Sequence, residues 1–180
     1  YMSTGSHGVF VVNDNGNIVR HLNVTNSSSL LQDSNGNVWI STLDRGVCVL
    51  MRDGMVKHLT YKGNHRESAA YNNVRNMCED RNGNVWMATY GGLIKVDAQT
   101  DRLTHYRYDF AQEAFNIRSI ATLFYDSQGS LWLGSFHNGI SVYNPESDIY
   151  NYYQAKRNVE GRLASPVISS MVEGDDGRIF

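Results

Sequence analysis

Copies of one short motif dominate the sequence. DSNGNVWIST at 33–42, DRNGNVWMAT at 80–89 and DSQGSLWLGS at 126–135 agree closely, and DDGRIF at 175–180 begins a fourth copy. Their anchoring glycines, Gly36, Gly83, Gly129 and Gly177, lie 47, 46 and 48 residues apart. A period of this length means one structural unit recurs and buries its apolar faces against its neighbours, so a repeat architecture outranks any other reading. YMST at the start aligns with WIST, WMAT and WLGS as the tail of an earlier copy.

Within each period, short apolar and β-branched runs alternate with turn signals, which predicts four strands per repeat. In the second full repeat these are 74–79, 85–89, 93–96 and 103–108. Between the first two, Asp80-Arg81-Asn82-Gly83-Asn84 supplies a tight turn, because Gly takes positive φ and Asp bonds nearby backbone N–H groups. Third strands are expected at 46–50 and 139–143, and fourth strands at 56–61 and 149–153. No segment shows a sustained helical period, so helix should be nearly absent. Four strands in 46 to 48 residues is the length of a β-propeller blade, in which sheets pack radially. The expected fold is all-β, with about four blades of four antiparallel strands, an excerpt of a larger and seven-bladed propeller. The expected blade boundaries are 1–26, 27–72, 73–116, 117–166 and 167–180.

Composition supports a packed, non-nucleic-acid-binding domain. Lys plus Arg total 16 against 18 Asp plus Glu, for a net charge of −2. That leaves no basic excess to neutralise phosphates. The chain is 41% hydrophobic with 11 Tyr, 6 Phe and 3 Trp, and no apolar run approaches the roughly 18 residues that span a bilayer. Two cysteines make no disulfide framework.

The pattern Asp-x-x-Gly-x-hydrophobic-Trp-hydrophobic-x-Thr/Ser, followed by Gly and apolar residues, resembles the two-component regulator propeller repeat. The resemblance implies the periplasmic sensor region of a bacterial hybrid two-component system, in which two seven-bladed propellers precede a β-sandwich, a transmembrane helix, a histidine kinase and a response regulator. It also implies a homodimer, a membrane reached only through parts outside this segment, and detection of polysaccharide fragments. Tyr1 and Phe180 stand where the pattern has Trp, and Gly174 where it has Asp.

The repeated Asp33, Asp80 and Asp126 read as turn residues, since a calcium loop needs further spaced oxygens and a closing Glu that no copy supplies. Trp39, Trp86 and Trp132 recur at one position and read as core. His21, His58 and His105 occupy equivalent places in successive fourth strands, which cannot converge on one zinc ion, and read as surface or edge residues. Cys48 and Cys78 read as free buried thiols. Most carboxylates fall in turns, leaving Asp44, Glu67, Glu79, Asp109, Glu113, Glu160 and Glu173. No pair of these has the spacing of a general acid and base, and there is no nucleophile motif. The segment is therefore expected to be non-enzymatic, without metal or cofactor.

Copies of a scaffold agree where they pack and disagree where they recognise an asymmetric ligand. The loops between second and third strands carry Ser6-His7, Asp44-Arg45, Tyr90 and Phe136-His137-Asn138. The connections between blades carry 61–73, 109–116 and 154–165. The candidate ligand-binding residues are His7, Asp44, Arg45, Arg66, Tyr90, Arg118, His137 and Asn138. Aromatic faces, amides and guanidinium forks suit a neutral or sulfated oligosaccharide. A protein-interaction scaffold and a propeller lyase are the alternatives. Open sheet faces at both ends predict face-to-face association or aggregation of the isolated piece.

Overall fold

A computed structural model describes residues 1–106, 119–155 and 163–180. Its strands form one three-stranded and three four-stranded antiparallel sheets, each a meander in chain order. The first holds β1 (Met2–Ser3), β2 (Val9–Val12) and β3 (Ile18–Leu22). The second holds β4 (Ser27–Gln32), β5 (Val38–Thr42), β6 (Val47–Leu50) and β7 (Val56–Leu59). One helix, α1 (His65–Tyr71), then precedes the third sheet of β8 (Val74–Glu79), β9 (Val85–Thr89), β10 (Gly92–Val96) and β11 (Leu103–Tyr106). The fourth sheet holds β12 (Ile120–Tyr125), β13 (Leu131–Ser135), β14 (Ile140–Asn144) and β15 (Ile149–Tyr153). A further hairpin begins where Val172 and Phe180 exchange backbone hydrogen bonds of 3.0 and 2.8 Å.

The first strands of successive sheets pack on one another, β4 on β8 and β8 on β12, whereas no comparable contact joins β7, β11 and β15 among the described residues. The sheets therefore fan outward from a common inner side as propeller blades. Middle strands are buried on both faces, and side-chain alternation divides them between two interfaces. In β5, Val38 and Ile40 face the first blade while Trp39 faces the third. In β9, Val85 and Met87 face back while Trp86 and Ala88 face forward. The same alternation separates the cysteines. Cys48 packs between the first and second blades and Cys78 between the third and fourth, both as free thiols. Burial pushes both thiols above their ordinary pKa.

The repeated Asp does more than make a turn. Asp33 Oδ1 accepts the Asn35 and Asn37 N–H groups, and its Oδ2 accepts the Trp39 indole N–H at 2.8 Å. Trp86 donates to Asp80 at 2.8 Å and Trp132 to Asp126 at 2.7 Å. The clasp ties the turn to the tryptophan six residues on, and the buried carboxylate is satisfied throughout. In the last copy Gly174 and Phe180 replace Asp and Trp together. The turn itself survives, because Gly174 N–H still bonds Arg178 O at 2.8 Å.

Neighbouring blades are also joined at this end. Ser34 donates its N–H and hydroxyl to Glu79 of the next blade, and Ser127 does the same to Glu173. Between the third and fourth blades the pair becomes Arg81 donating to the Tyr125 hydroxyl at 3.1 Å.

Two expectations need correction, and one short helix joins the strands of an otherwise all-β fold among the described residues. The connection after β7 contains α1, which Asn64 caps by accepting the Glu67 N–H at 3.0 Å. Seven residues are too few to show a helical period, although Arg, Glu and two Ala favour the helix locally. Strand β7 ends at Leu59 rather than 61, because the Asn72 side chain captures both the N–H and C=O of Tyr61. Finally, His105 is not a surface residue, unlike His21 and His58. It is half-buried, with its ring edge-on to both Tyr61 and Tyr71 at 4.7 and 5.1 Å. Of the aromatic pair that covers it, Tyr71 closes α1 and Tyr61 lies in the connection leading to it. Trp132 is also less buried than Trp39 and Trp86, since it faces an apolar cavity of about 720 Å³ beside Ile168, Met171, Ile179 and Phe180.

Candidate functional site

At the end of the sheets opposite the Asp–Trp turns, each second strand finishes on a hydroxyl residue that shapes the loop beyond it. Thr4, Thr42 and Thr89 donate to the carbonyls of Gly8, Gly46 and Gly92 at 2.7 to 2.9 Å. The same Thr42 oxygen accepts the Arg45 N–H at 2.9 Å, and Ser135 Oγ accepts the Asn138 N–H at 2.5 Å. Glycine then enters the third strand under the end of the fourth. A Cβ on Gly8, Gly46 or Gly139 would lie 2.3, 2.2 or 2.3 Å from the carbonyl oxygen of Leu22, Leu59 or Tyr153, and all three have positive φ. Only glycine fits this approach.

Backbone bonds fix these loops to the start of the next blade. Asn26 N–H donates to Gly5 O and Leu43 N–H to Asn26 O, at 2.8 and 3.0 Å. A second run links Asn73 O to Tyr90 N–H, Tyr90 O to Ser119 N–H and Ser119 O to Phe136 N–H, at 3.1, 3.4 and 3.3 Å. The Gly46 N–H donates to Asn72 O at 2.9 Å and joins the two runs, so the loops of neighbouring blades form a continuous rim.

The candidate residues fall on this rim in different states. His7 is exposed, with Nδ1 2.9 Å from Ser6 Oγ and its carbonyl 2.7 Å from His21 Nε2. Asp44 accepts from the Asn26 amide at 2.9 Å and lies 3.7 Å from Arg45. Arg45 and His137 are exposed, and Tyr90 is 54% exposed. Asn138 is half-buried in the loop that Ser135 closes. Arg66 lies exposed on α1, whose Ala70 carbonyl accepts the Gly91 N–H of the rim at 3.1 Å. Arg118 is outside the described residues. The rim bonds bring the Tyr90 and Phe136-His137 loops together through Ser119, and the Gly5-to-His7 and Asp44 loops together through Asn26.

One charged residue of the rim is absent from that candidate set. Arg75 occupies the irregular position at the start of β8, between the paired residues Val74 and Asn76. The matching positions hold Ser28 and Ala121. Its guanidinium carbon lies 4.8 Å from the centre of the Phe136 ring of the next blade. Its Nε is buried without a hydrogen-bond partner among the described residues, as is Asn73 Oδ1. A buried polar group left unpaired costs on the order of 1–3 kcal/mol. The criterion of disagreement between copies would have found Arg75 had it been applied to the first strand as well as the loops.

The carboxylates left over by the sequence acquire partners. Glu79 and Glu173 hold the inter-blade clasps, Asp44 faces Asn26 and Arg45, and Glu67 stands in the first turn of α1. Asp109, Glu113 and Glu160 lie outside the described residues. Among the described residues no three His, Cys, Asp or Glu side chains are grouped to hold a metal ion. At the turn end a cleft of about 370 Å³ opens between the second and third blades, lined by Trp39, Val49, Val96 and Ala98 and bridged by Lys57 and Asp101 at 2.6 Å.

The sequence model of the family described as two component regulator propeller matches residues 21–44 and 68–91. No curated protein sequence matches the chain. Among solved structures, the extracellular domain of BT3049 from B. thetaiotaomicron, described as a hybrid two-component system, shares 19% identity at a TM-score of 0.75. That match covers 98% of this chain and 22% of the other. The extracellular domain of BT4673, of the same organism and description, gives 19% identity and 0.71 over 87% of this chain and 20% of its own. Virginiamycin B lyase from Staphylococcus aureus gives 15% identity and 0.69 over 93% and 53%. The chain thus spans about a fifth of the two-component proteins it resembles, and at these identities the likeness is one of fold. The family model thus covers two of the repeats, and the radial sheets make the chain similar in fold to the propellers of these extracellular domains.

Proposed function

We propose that the chain is part of the extracytoplasmic, ligand-sensing propeller of a hybrid two-component signalling protein, and that its ligand is a polysaccharide-derived oligosaccharide. The observation that carries this reading is the pairing of two-component regulator propeller repeats with loops that differ from copy to copy. The neighbouring extracellular domains support an extracytoplasmic place, which for a bacterial inner-membrane protein is the periplasm. Exposed Tyr90 offers a ring face for a sugar, Arg45 and Asn138 offer donors, and the rim bonds hold their loops in register. The buried carboxylates, Asp33, Asp80 and Asp126, are committed to turns and tryptophans, so recognition is the role of this segment rather than catalysis. Ligand binding shifts a dimeric sensor only through different affinities for its two arrangements, and the kinase lies elsewhere in the protein.

Thermal unfolding of the intact sensor against a panel of neutral and acidic oligosaccharides tests the reading. A ligand at 100 times its Kd adds about 2.7 kcal/mol to the folded state, which raises the melting temperature measurably. A saturable rise with one glycan class, lost in Tyr90→Ala, is the expected result. No rise across the panel overturns it in favour of an interaction scaffold.

A further inference from the structure

We propose that Arg75, with Asn73 beside it, forms an anion-recognition site on the rim, taking the carboxylate or sulfate group of an acidic sugar. The inference rests on the oligosaccharide-sensing reading and names the substituent that would be recognised.

Arg75 differs from the ion-paired arginines among the described residues. Arg45, Arg81 and Arg178 are more exposed and each has a carboxylate within 4.0 Å, namely Asp44, Glu146 and Asp176. Arg75 is half-buried and has no ion pair among the described residues. A charged group that loses water without gaining an acid is costly to keep, so the missing acid is expected from outside the chain. The cation–π contact with Phe136, 4.8 Å from guanidinium carbon to ring centre, holds the guanidinium against the next blade before any ligand arrives. A planar fork held in this way matches the oxygens of a carboxylate or sulfate, which an ammonium on a flexible stem would match less well.

The surroundings complete a sugar site. Asn73 flanks Val74 on the other side, with its amide oxygen buried and unpartnered. It can accept a hydroxyl, or, with the amide rotated, donate to one. Its backbone carbonyl is bonded to the N–H of Tyr90, whose exposed ring lies on the adjoining loop. Ser28 and Ala121 at the matching positions of the neighbouring blades offer no cation, so the site is single rather than repeated.

Titration calorimetry on the intact protein tests this with three disaccharides of matched linkage: neutral, uronate-bearing and sulfated. The wild type is expected to bind one acidic sugar at least roughly tenfold more tightly than the neutral one, with the preference shrinking as salt rises. Arg75→Gln should lose that preference and keep the neutral affinity, and Arg75→Lys should recover only part of it. The stronger acid, uronate or sulfate, identifies the oxyanion. Unchanged acidic binding in Arg75→Gln overturns the site, as does an equal loss of neutral and acidic binding, which would mark Arg75 as structural. Binding of the neutral sugar alone overturns the site but leaves the sensing reading standing. Binding of none overturns both.

Discussion

The two ends of each blade are made by opposite rules. At the turn end three copies place the same atoms at the same separations, with indole N–H to carboxylate distances of 2.8, 2.8 and 2.7 Å. At the loop end only the closing hydroxyl and glycine repeat, and the side chains carried outward are His7, Arg45, Tyr90 and His137 in turn. Residues that fold the blade are therefore separated along the strands from residues free to vary. Side chains can change at one end without loosening the packing at the other.

The most forceful way to break this division is Asp80→Ala. It strips partners from two backbone N–H groups, the Asn84 amide and the fully buried Trp86 indole. A loss on the order of 3 kcal/mol in urea unfolding is expected, with glycan affinity of the remaining folded protein unchanged. At the loop end, Gly46→Ala forces a Cβ onto the Leu59 carbonyl at positive φ and should cost about 2 kcal/mol. Gly16→Ala has the same sign of φ but open space, and should cost about 1 kcal/mol; equal effects would deny that the glycine serves close approach. Glu79→Ala removes the inter-blade clasp from Ser34 and should cost about 1 kcal/mol, with a Ser34→Ala double-mutant cycle recovering most of the coupling.

The smallest effect is a pH dependence. Hydrogen bonds from the Thr100 hydroxyl and N–H hold the Asp97 carboxyl below its ordinary 3.8. Its contribution is present above that value and is lost as pH falls through the lowered one, so acid unfolding of the wild type should be steeper than that of Asp97→Asn below the ordinary 3.8. Superimposable acid limbs would remove Asp97 from the account.

How much was legible follows from where information is repeated. Strands 74–79 and 85–89 could be read to the residue because the motif is shown several times over, and the turn glycines carry their own conformational signature. The Asp–Trp bond was hidden because a six-residue separation has no meaning in a strand until the turn folds the carboxylate back beneath the indole. Helix α1 is seven residues long, too short to announce itself by period. The place of His105 depends on Tyr61 and Tyr71 from the connection between the second and third blades, and the position-by-position comparison could not supply them. Arg75 stood in plain view as the odd member of its column, but a charged residue inside an apolar strand reads as noise until its neighbours are known.

The inter-blade clasps have a consequence for how such a chain reaches its native order. Near-identical repeats invite each sheet to dock on the wrong neighbour during folding. Here the serine-to-glutamate contacts at Ser34 and Ser127 are interrupted by the arginine-to-tyrosine contact at Arg81. The fourth sheet docked on the second would set Ser34 against a phenol instead of a carboxylate and replace two charge-assisted bonds with at most weaker neutral ones. The alternation works as a set of keyed couplings, so the sequence of blades is specified at their edges as well as by the chain that connects them.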